Sequence, residues 1–190
     1  LITIIGRVLY CSDLFRQESQ ITQGDYFWLF FHHFVMQIST DPVNNAIAVA
    51  RSSAIEPPAA DDWMTVSERQ RYRTMTSDRR RESFRRAHWF MRLLLARYCP
   101  SEPHGWQVEQ QDSGKPFVRT AEELHISIAH SGPWLMCGVS RQGAIGVDIE
   151  VMRQRSSIEQ AVALYTSPKL QHIWSTLTCE QRLTQGYLWW

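Results

Sequence analysis

The stretch from Leu124 to Met152 constrains the fold most tightly, because it carries three strand signals in close succession. Residues 124–129 read LHISIA, a strict alternation. Successive side chains of a strand point to opposite faces, so Leu124, Ile126 and Ile128 fall on one face and His125, Ser127 and Ala129 on the other. WLMCGVS (134–140) and AIGVDIEVM (144–152) read as two further strands, joined by a turn at Arg141-Gln142-Gly143.

Helical signals surround these strands. Asn44 to Ser52 reads as a short strand, and Pro57-Pro58 turns the chain. A short helix then opens near Ser67-Glu68-Arg69-Gln70-Arg71, with Ser67 or Thr65 as its N-cap. From Asp78 the spacing predicts a long amphipathic helix that ends at Cys99-Pro100. Its apolar stripe is Phe84, Ala87, His88, Met91, Leu94, Leu95 and Tyr98. Two helices close the chain. One follows the cap Ser167 with proline at its first position, and the other opens on a capping box of Thr178 and Gln181. Helices and strands together predict an α+β fold. The first 35 residues show no sustained helical or strand period, and Met36 is read as a natural start, with a packed N-terminal extension as the alternative.

Composition removes several classes. With 44% hydrophobic residues the chain is too apolar to be disordered, and no run approaches the roughly 20 uncharged apolar residues of a spanning helix. The nearest run, Phe27 to Met36, is short, is broken by two histidines, and lacks the basic start and cleavage site of a signal peptide. The four cysteines, Cys11, Cys99, Cys137 and Cys179, are scattered without a CxxC pair, so neither a zinc site nor a disulfide scaffold is expected. A reducing cytoplasm is the expected compartment. The net charge is only +1, yet ten arginines and only three acids lie between Ser67 and Arg97. Such arginines either grip phosphate oxygens bidentately or form a solvated helix face. Nucleic-acid binding is not expected, because the helix carries a core stripe and no reader motif.

Three short segments carry chemistry. In Gly146-Val147-Asp148-Ile149-Glu150, strand period puts Asp148 and Glu150 on one face. Paired carboxylates either hold a hard divalent cation, Mg²⁺ or Mn²⁺, or meet arginines on an exposed sheet. Gly114-Lys115-Pro116 places one of only two lysines in a turn before the strands, where it reaches a phosphate or simply meets water. His130 and Ser131, at the end of the first strand, are hydrogen-bond donors to a phosphate or ordinary loop residues.

Taken in order, the basic helix, Gly114-Lys115-Pro116, the strand ending Ala129-His130-Ser131-Gly132, and Gly146-Val147-Asp148-Ile149-Glu150 resemble the Sfp-type 4′-phosphopantetheinyl transferases. That family carries G-K-P, S-H-S or a close variant, G-[VI]-D-[IV]-E and W-x-x-K-E-A. The resemblance implies that Asp148 and Glu150 act through a bound Mg²⁺ (or Mn²⁺), and that Lys115 and His130 contact the phosphates of coenzyme A. It also implies a basic contact near the nucleotide's 3′-phosphate at Arg71, with Arg69 a second candidate, while Ser131 or Ser127 partly replaces the hydroxyl missing at Ala129.

The implied fold is a pseudo-dimer of two similar α/β sandwich subdomains. Residues 36–143 would form the first and 144–190 the start of the second, with 1–35 an extension or upstream read-through. The implied reaction moves the phosphopantetheine arm of coenzyme A onto a serine of an apo acyl or peptidyl carrier protein and releases adenosine 3′,5′-bisphosphate. The implied protein is a cytoplasmic monomer with no membrane or nucleic-acid partner. Leu188-Trp189 matches the start of W-x-x-K-E-A, whose lysine and glutamate fall beyond Trp190, so the resemblance implies a truncated member with impaired activity. A module that binds coenzyme A or nucleotide without turnover is the alternative.

Overall fold

The computed structural model describes residues 3–10, 27–30, 36–41, 45–99, 102–111, 113–120 and 123–189, with side chains described from residue 45 to residue 187. Nine strands and five α-helices lie among them. In chain order they are β1 (Thr3–Tyr10), β2 (Phe27–Phe30), β3 (Met36–Asp41), β4 (Asn45–Arg51), α1 (Val66–Thr74), α2 (Asp78–Tyr98), β5 (Val108–Gln110), β6 (Pro116–Val118), β7 (His125–Ser131), β8 (Trp134–Ser140), β9 (Ile145–Val151), α3 (Ser156–Tyr165), α4 (Pro168–Thr176) and α5 (Cys179–Trp189). The fold is mixed α and β, as the sequence predicts.

A four-stranded sheet in the order β3-β4-β8-β7 forms the centre, with every neighbouring pair antiparallel. Both of its faces are covered, and the strand alternation assigns each residue to a side. Ala46, Ala48 and Ala50 of β4, with Leu135, Cys137 and Val139 of β8, pack under α2 against Phe84, Met91, Leu94 and Leu95. Ile47 and Val49, with Trp134 and Met136, face the opposite way and meet Ile145, Val147, Ile149 and Val151 of β9. The small alanines let the helix approach the sheet closely. Gly138 does the same on the other face, where a Cβ would stand 2.7 Å from Val147 Cγ1.

β9 belongs to a second sheet, in the order β2-β1-β9. β1 runs antiparallel to β9, with Arg7 opposite Asp148 and Ile5 opposite Glu150. This strand differs from the sequence expectation for the first 35 residues, and the reason is physical. Backbone pairing to an existing strand edge does not demand the side-chain alternation by which a sequence announces a strand. The rest of the aromatic run, residues 31–35, lies outside the described residues.

The expected elements from Asn45 onward form with small shifts at their ends. The choice of N-cap for α1 resolves to Thr65: its hydroxyl accepts from Glu68 N at 3.2 Å, and its own amide donates to the Glu68 carboxylate at 2.7 Å. The box at α5 also forms, with Thr178 N donating to Gln181 Oε1 and Gln181 N to Thr178 Oγ1. Three helices, not two, close the chain. The additional α3 has no side-chain cap and buries only Ile158 and Val162, which is too little apolar periodicity to read. α4 buries no side chain fully, and its Ile173 is 39% exposed.

Candidate functional site

β7 divides its side chains between two jobs. Ile128 and His130 line a cleft of about 620 Å³ whose other walls come from α1, α2 and the β5–β6 hairpin. Ser127 and Ser131 point instead toward β9, where their hydroxyls accept from Val147 N and Val151 N, each at 3.1 Å. The strand therefore separates the cleft from β9.

The cleft gathers much of what the sequence nominates. Arg71 enters from α1 and His130 from β7, while Gly114 and Pro116 bring the turn that holds Lys115. A chain of hydrogen bonds ties these walls together: Arg71 Nη1 donates to Gln110 Oε1, and Gln110 Nε2 donates to the Gly114 carbonyl. Gly114 has a φ of +87°, a backbone state that glycine adopts without steric cost, and this turns the hairpin so that Lys115 is exposed at its tip. The Arg71 guanidinium also sits 5.9 Å from the Phe84 ring centroid. Arg80 of α2 adds a second exposed guanidinium to the lining.

Two nominated residues have other partners. Arg69 turns away and donates to the carbonyls of Met64 and Asp61, holding the loop before α1. Ser131 is buried, with its hydroxyl engaged by Val151 N. Neither lines the cleft.

The arginine-rich segment is not one phosphate-gripping surface. Arg92 is wholly buried and donates through both Nη1 and Nη2 to Glu68, at 2.8 and 2.6 Å. Arg85 pairs with Asp61, and Arg86 with Glu82 and the Ser52 carbonyl. Arg71 and Arg80 are the arginines of this segment that line the cleft.

Glu68 is the pivot of the site. The same carboxylate that caps α1 and receives Arg92 also sits 2.7 Å from His88 Nδ1. Burial pushes the Glu68 carboxyl up, but the hydrogen bonds from His88 and Arg92 and the charge of Arg92 outweigh it and bring it down to about 2. Burial holds the His88 imidazole below its ordinary value, against the pull of Glu68. A neutral ring facing an ionised carboxylate must carry its proton on Nδ1, which leaves Nε2 as an acceptor. The ring stacks on Phe84, with centroids 3.9 Å apart, and lines the cleft. The sequence placed His88 in the apolar stripe of the helix. A histidine within that stripe, four residues before a buried arginine, was the available signal.

Asp148 and Glu150 stand together on the outward side of β9, between the buried Val147, Ile149 and Val151. They do not line the cleft. Asp148 Oδ1 accepts from Ile149 N at 2.9 Å, and Glu150 pairs with Arg155. Two hard carboxylates sharing a strand face suit Mg²⁺, which keeps several waters and takes further oxygens from substrate phosphates. Among the described residues no group of three His, Cys, Asp or Glu side chains converges.

The fold is mixed α and β, with a cleft into which two arginines and two histidines project. Sequence comparison places it more closely. The chain is similar to a 4′-phosphopantetheinyl transferase of Bacillus subtilis, 30% identical over 105 residues that make up 49% of this chain and 46% of that protein. It is similar to the 4′-phosphopantetheinyl transferase HetI of Nostoc, 26% identical over 113 residues, 58% of this chain and 48% of HetI. It is also similar to the 4′-phosphopantetheinyl transferase AcpT of Salmonella typhi, 35% identical over 77 residues, 40% of this chain and 38% of AcpT. No protein-family model matches. These matches, at 26–35% identity over part of each chain, support a likeness to the 4′-phosphopantetheinyl transferase family. It spans about half the length of the first curated relatives it matches. No helix among the described residues is long and apolar enough to cross a membrane.

Proposed function

We propose that this protein serves the transfer of the 4′-phosphopantetheine arm of coenzyme A to a serine hydroxyl of an acyl or peptidyl carrier protein. The observation that carries this reading is the convergence of Arg71, His130 and the Gly114–Pro116 turn on one cleft, in a chain whose relatives are 4′-phosphopantetheinyl transferases. In the reaction the serine oxygen bonds to the phosphorus that carries the pantetheine arm. The anhydride bond of the pyrophosphate breaks, and adenosine 3′,5′-bisphosphate leaves.

Each set of side chains has a defined task. Arg71, Lys115 and His130 hold the phosphates of coenzyme A, with charge-assisted hydrogen bonds that fix its orientation. Asp148 and Glu150 lie outside the cleft on β9 and would hold a Mg²⁺ ion (or Mn²⁺), which when bound would supply charge neutralisation to phosphate oxygens that reach past β7. Arg69 and Ser131 serve the site through the backbone they hold, the loop before α1 and the edge of β9. The protein acts as a monomer in the cytoplasm, and the complete enzyme is a pseudo-dimer of two subdomains, with residues 36–143 forming the first and 144–190 opening the second.

The test is incubation of the protein with labelled coenzyme A, Mg²⁺ and a panel of apo carrier proteins, followed by mass measurement of the carriers. A gain of one phosphopantetheine that chelation of Mg²⁺ abolishes supports the reading. Unmodified carriers across the panel, together with no binding of coenzyme A by calorimetry, defeat it. A second reading, binding of coenzyme A without turnover, draws on the engagement of Asp148 and Glu150 with Ile149 N and Arg155. Calorimetric binding with no modified carrier selects it.

A further inference from the structure

Three alternate backbone amides of β9 find side-chain acceptors, two of them on β7 and the third on β9 itself. Val147 N donates to Ser127 Oγ and Val151 N to Ser131 Oγ, so β7 and β9 keep a constant offset of 20 residues at both points. The same offset places residue 129 opposite Ile149. That residue is alanine, packed against the cluster that contains Ile149, and it has no hydroxyl to offer. Ile149 N turns instead to Asp148 Oδ1, at 2.9 Å. An amide in this setting left without an acceptor is costly, so the carboxylate of Asp148 stands in for a missing serine.

We infer that Ala129 is a positioning residue that sets the availability of Asp148. With no hydroxyl at 129, one Asp148 oxygen is committed to the Ile149 amide and is withheld from a cation on the Asp148–Glu150 face. A hydroxyl at 129 completes the seam begun by Ser127 and Ser131 and releases that oxygen. This inference rests on the metal reading given above.

The test compares the full chain with A129S, A129T and A129V. Mn²⁺ affinity is read by electron paramagnetic resonance, and the Ile149 amide by its NMR shift during a Mg²⁺ titration. A129S is expected to bind Mn²⁺ about three- to tenfold more tightly, the scale of one net intramolecular hydrogen bond. A129T follows A129S and stands in for it if the serine variant does not fold. A129V, which adds bulk without a hydroxyl, is expected to keep the parent affinity. In the parent the Ile149 amide shifts strongly on Mg²⁺ binding, because its acceptor is drawn away; in A129S that shift is largely lost. Equal Mn²⁺ affinity in the parent and the hydroxyl variants overturns the inference while leaving the metal reading intact, and tighter binding by A129V overturns it as well. Absence of Mn²⁺ binding in every variant overturns the metal reading and this inference with it.

Discussion

Replacing Glu68 with glutamine probes the fold and the cleft at once. The wild-type carboxylate is 4% exposed and accepts from both Nη atoms of Arg92, from His88 Nδ1 and from Thr65 N. Glutamine keeps the shape but turns an NH₂ group toward one of these donors and leaves the wholly buried Arg92 without a counter-charge. Removal of one partner from a buried ion pair costs about 3–5 kcal/mol. The acid-base behaviour of Glu68 gives an independent figure. A carboxyl brought from 4.5 down to about 2 stabilises the folded state by about 3 kcal/mol once both states are ionised.

The sign of the pH effect follows from the direction of each shift. Glu68 is depressed in the folded state, so its contribution is complete above 4.5 and is lost as pH falls from there toward about 2. His88 is depressed below 6.5 as well, so its neutral form favours folding above 6.5, and that part is lost as pH falls through its lowered value. Both groups make acid destabilising, in successive windows. Urea unfolding at pH 7, followed by tryptophan fluorescence, should show E68Q less stable by about 3–5 kcal/mol with an unchanged denaturant slope. Repeated between pH 6 and pH 3, it should show a shallower acid loss in E68Q than in the parent. A cost under about 1 kcal/mol at pH 7, or equal acid slopes, refutes the reasoning.

Other substitutions separate the roles of individual side chains. Gly138→Ala places a Cβ 2.7 Å from Val147 Cγ1 and should cost about 1–3 kcal/mol in urea unfolding. Ser131→Ala orphans the Val151 amide in a buried seam and should cost about 1–3 kcal/mol, a loss read in the same assay. Arg71→Ala should weaken coenzyme A binding by about tenfold in calorimetry while leaving the unfolding free energy within about 0.5 kcal/mol, because the side chain is exposed. Asp148→Asn should abolish Mg²⁺-dependent carrier modification without loss of stability, since its amide oxygen can still accept from Ile149 N.

The elements legible in the sequence are those whose side-chain period reports burial. LHISIA, WLMCGVS and AIGVDIEVM become β7, β8 and β9 because one or both faces of each are covered by α2 or by a facing strand. Elements held by backbone or by scant contact left no such trace. β1 is paired through its backbone with β2 and β9, β5 and β6 are three residues each, and α3 buries two side chains. The candidate site divides along the same line. Lys115 and His130 could be nominated because charged and polar groups at a turn and a strand end stand out, whereas Arg71 is nominated only through the family resemblance. Arg92 could not be separated from its neighbours, because a count of arginines does not tell a buried partner of Glu68 from an exposed one.

Glu68 and His88 show why the inner part of the cleft was hidden. A glutamate three residues after a threonine reads as a helix cap, and this one is a cap. The same carboxylate also neutralises a buried arginine and fixes the tautomer of a histidine that lines the cleft, two tasks that span α1 and α2 and leave no local pattern. The cap fixes where α1 begins, and with it the position of Arg71, one turn further along the same helix. Helix start, core charge and cleft wall are thus set by one side chain. A substitution at Glu68 should therefore reach coenzyme A binding through Arg71 and His88, even though the carboxylate itself is spent on Arg92, His88 and the cap.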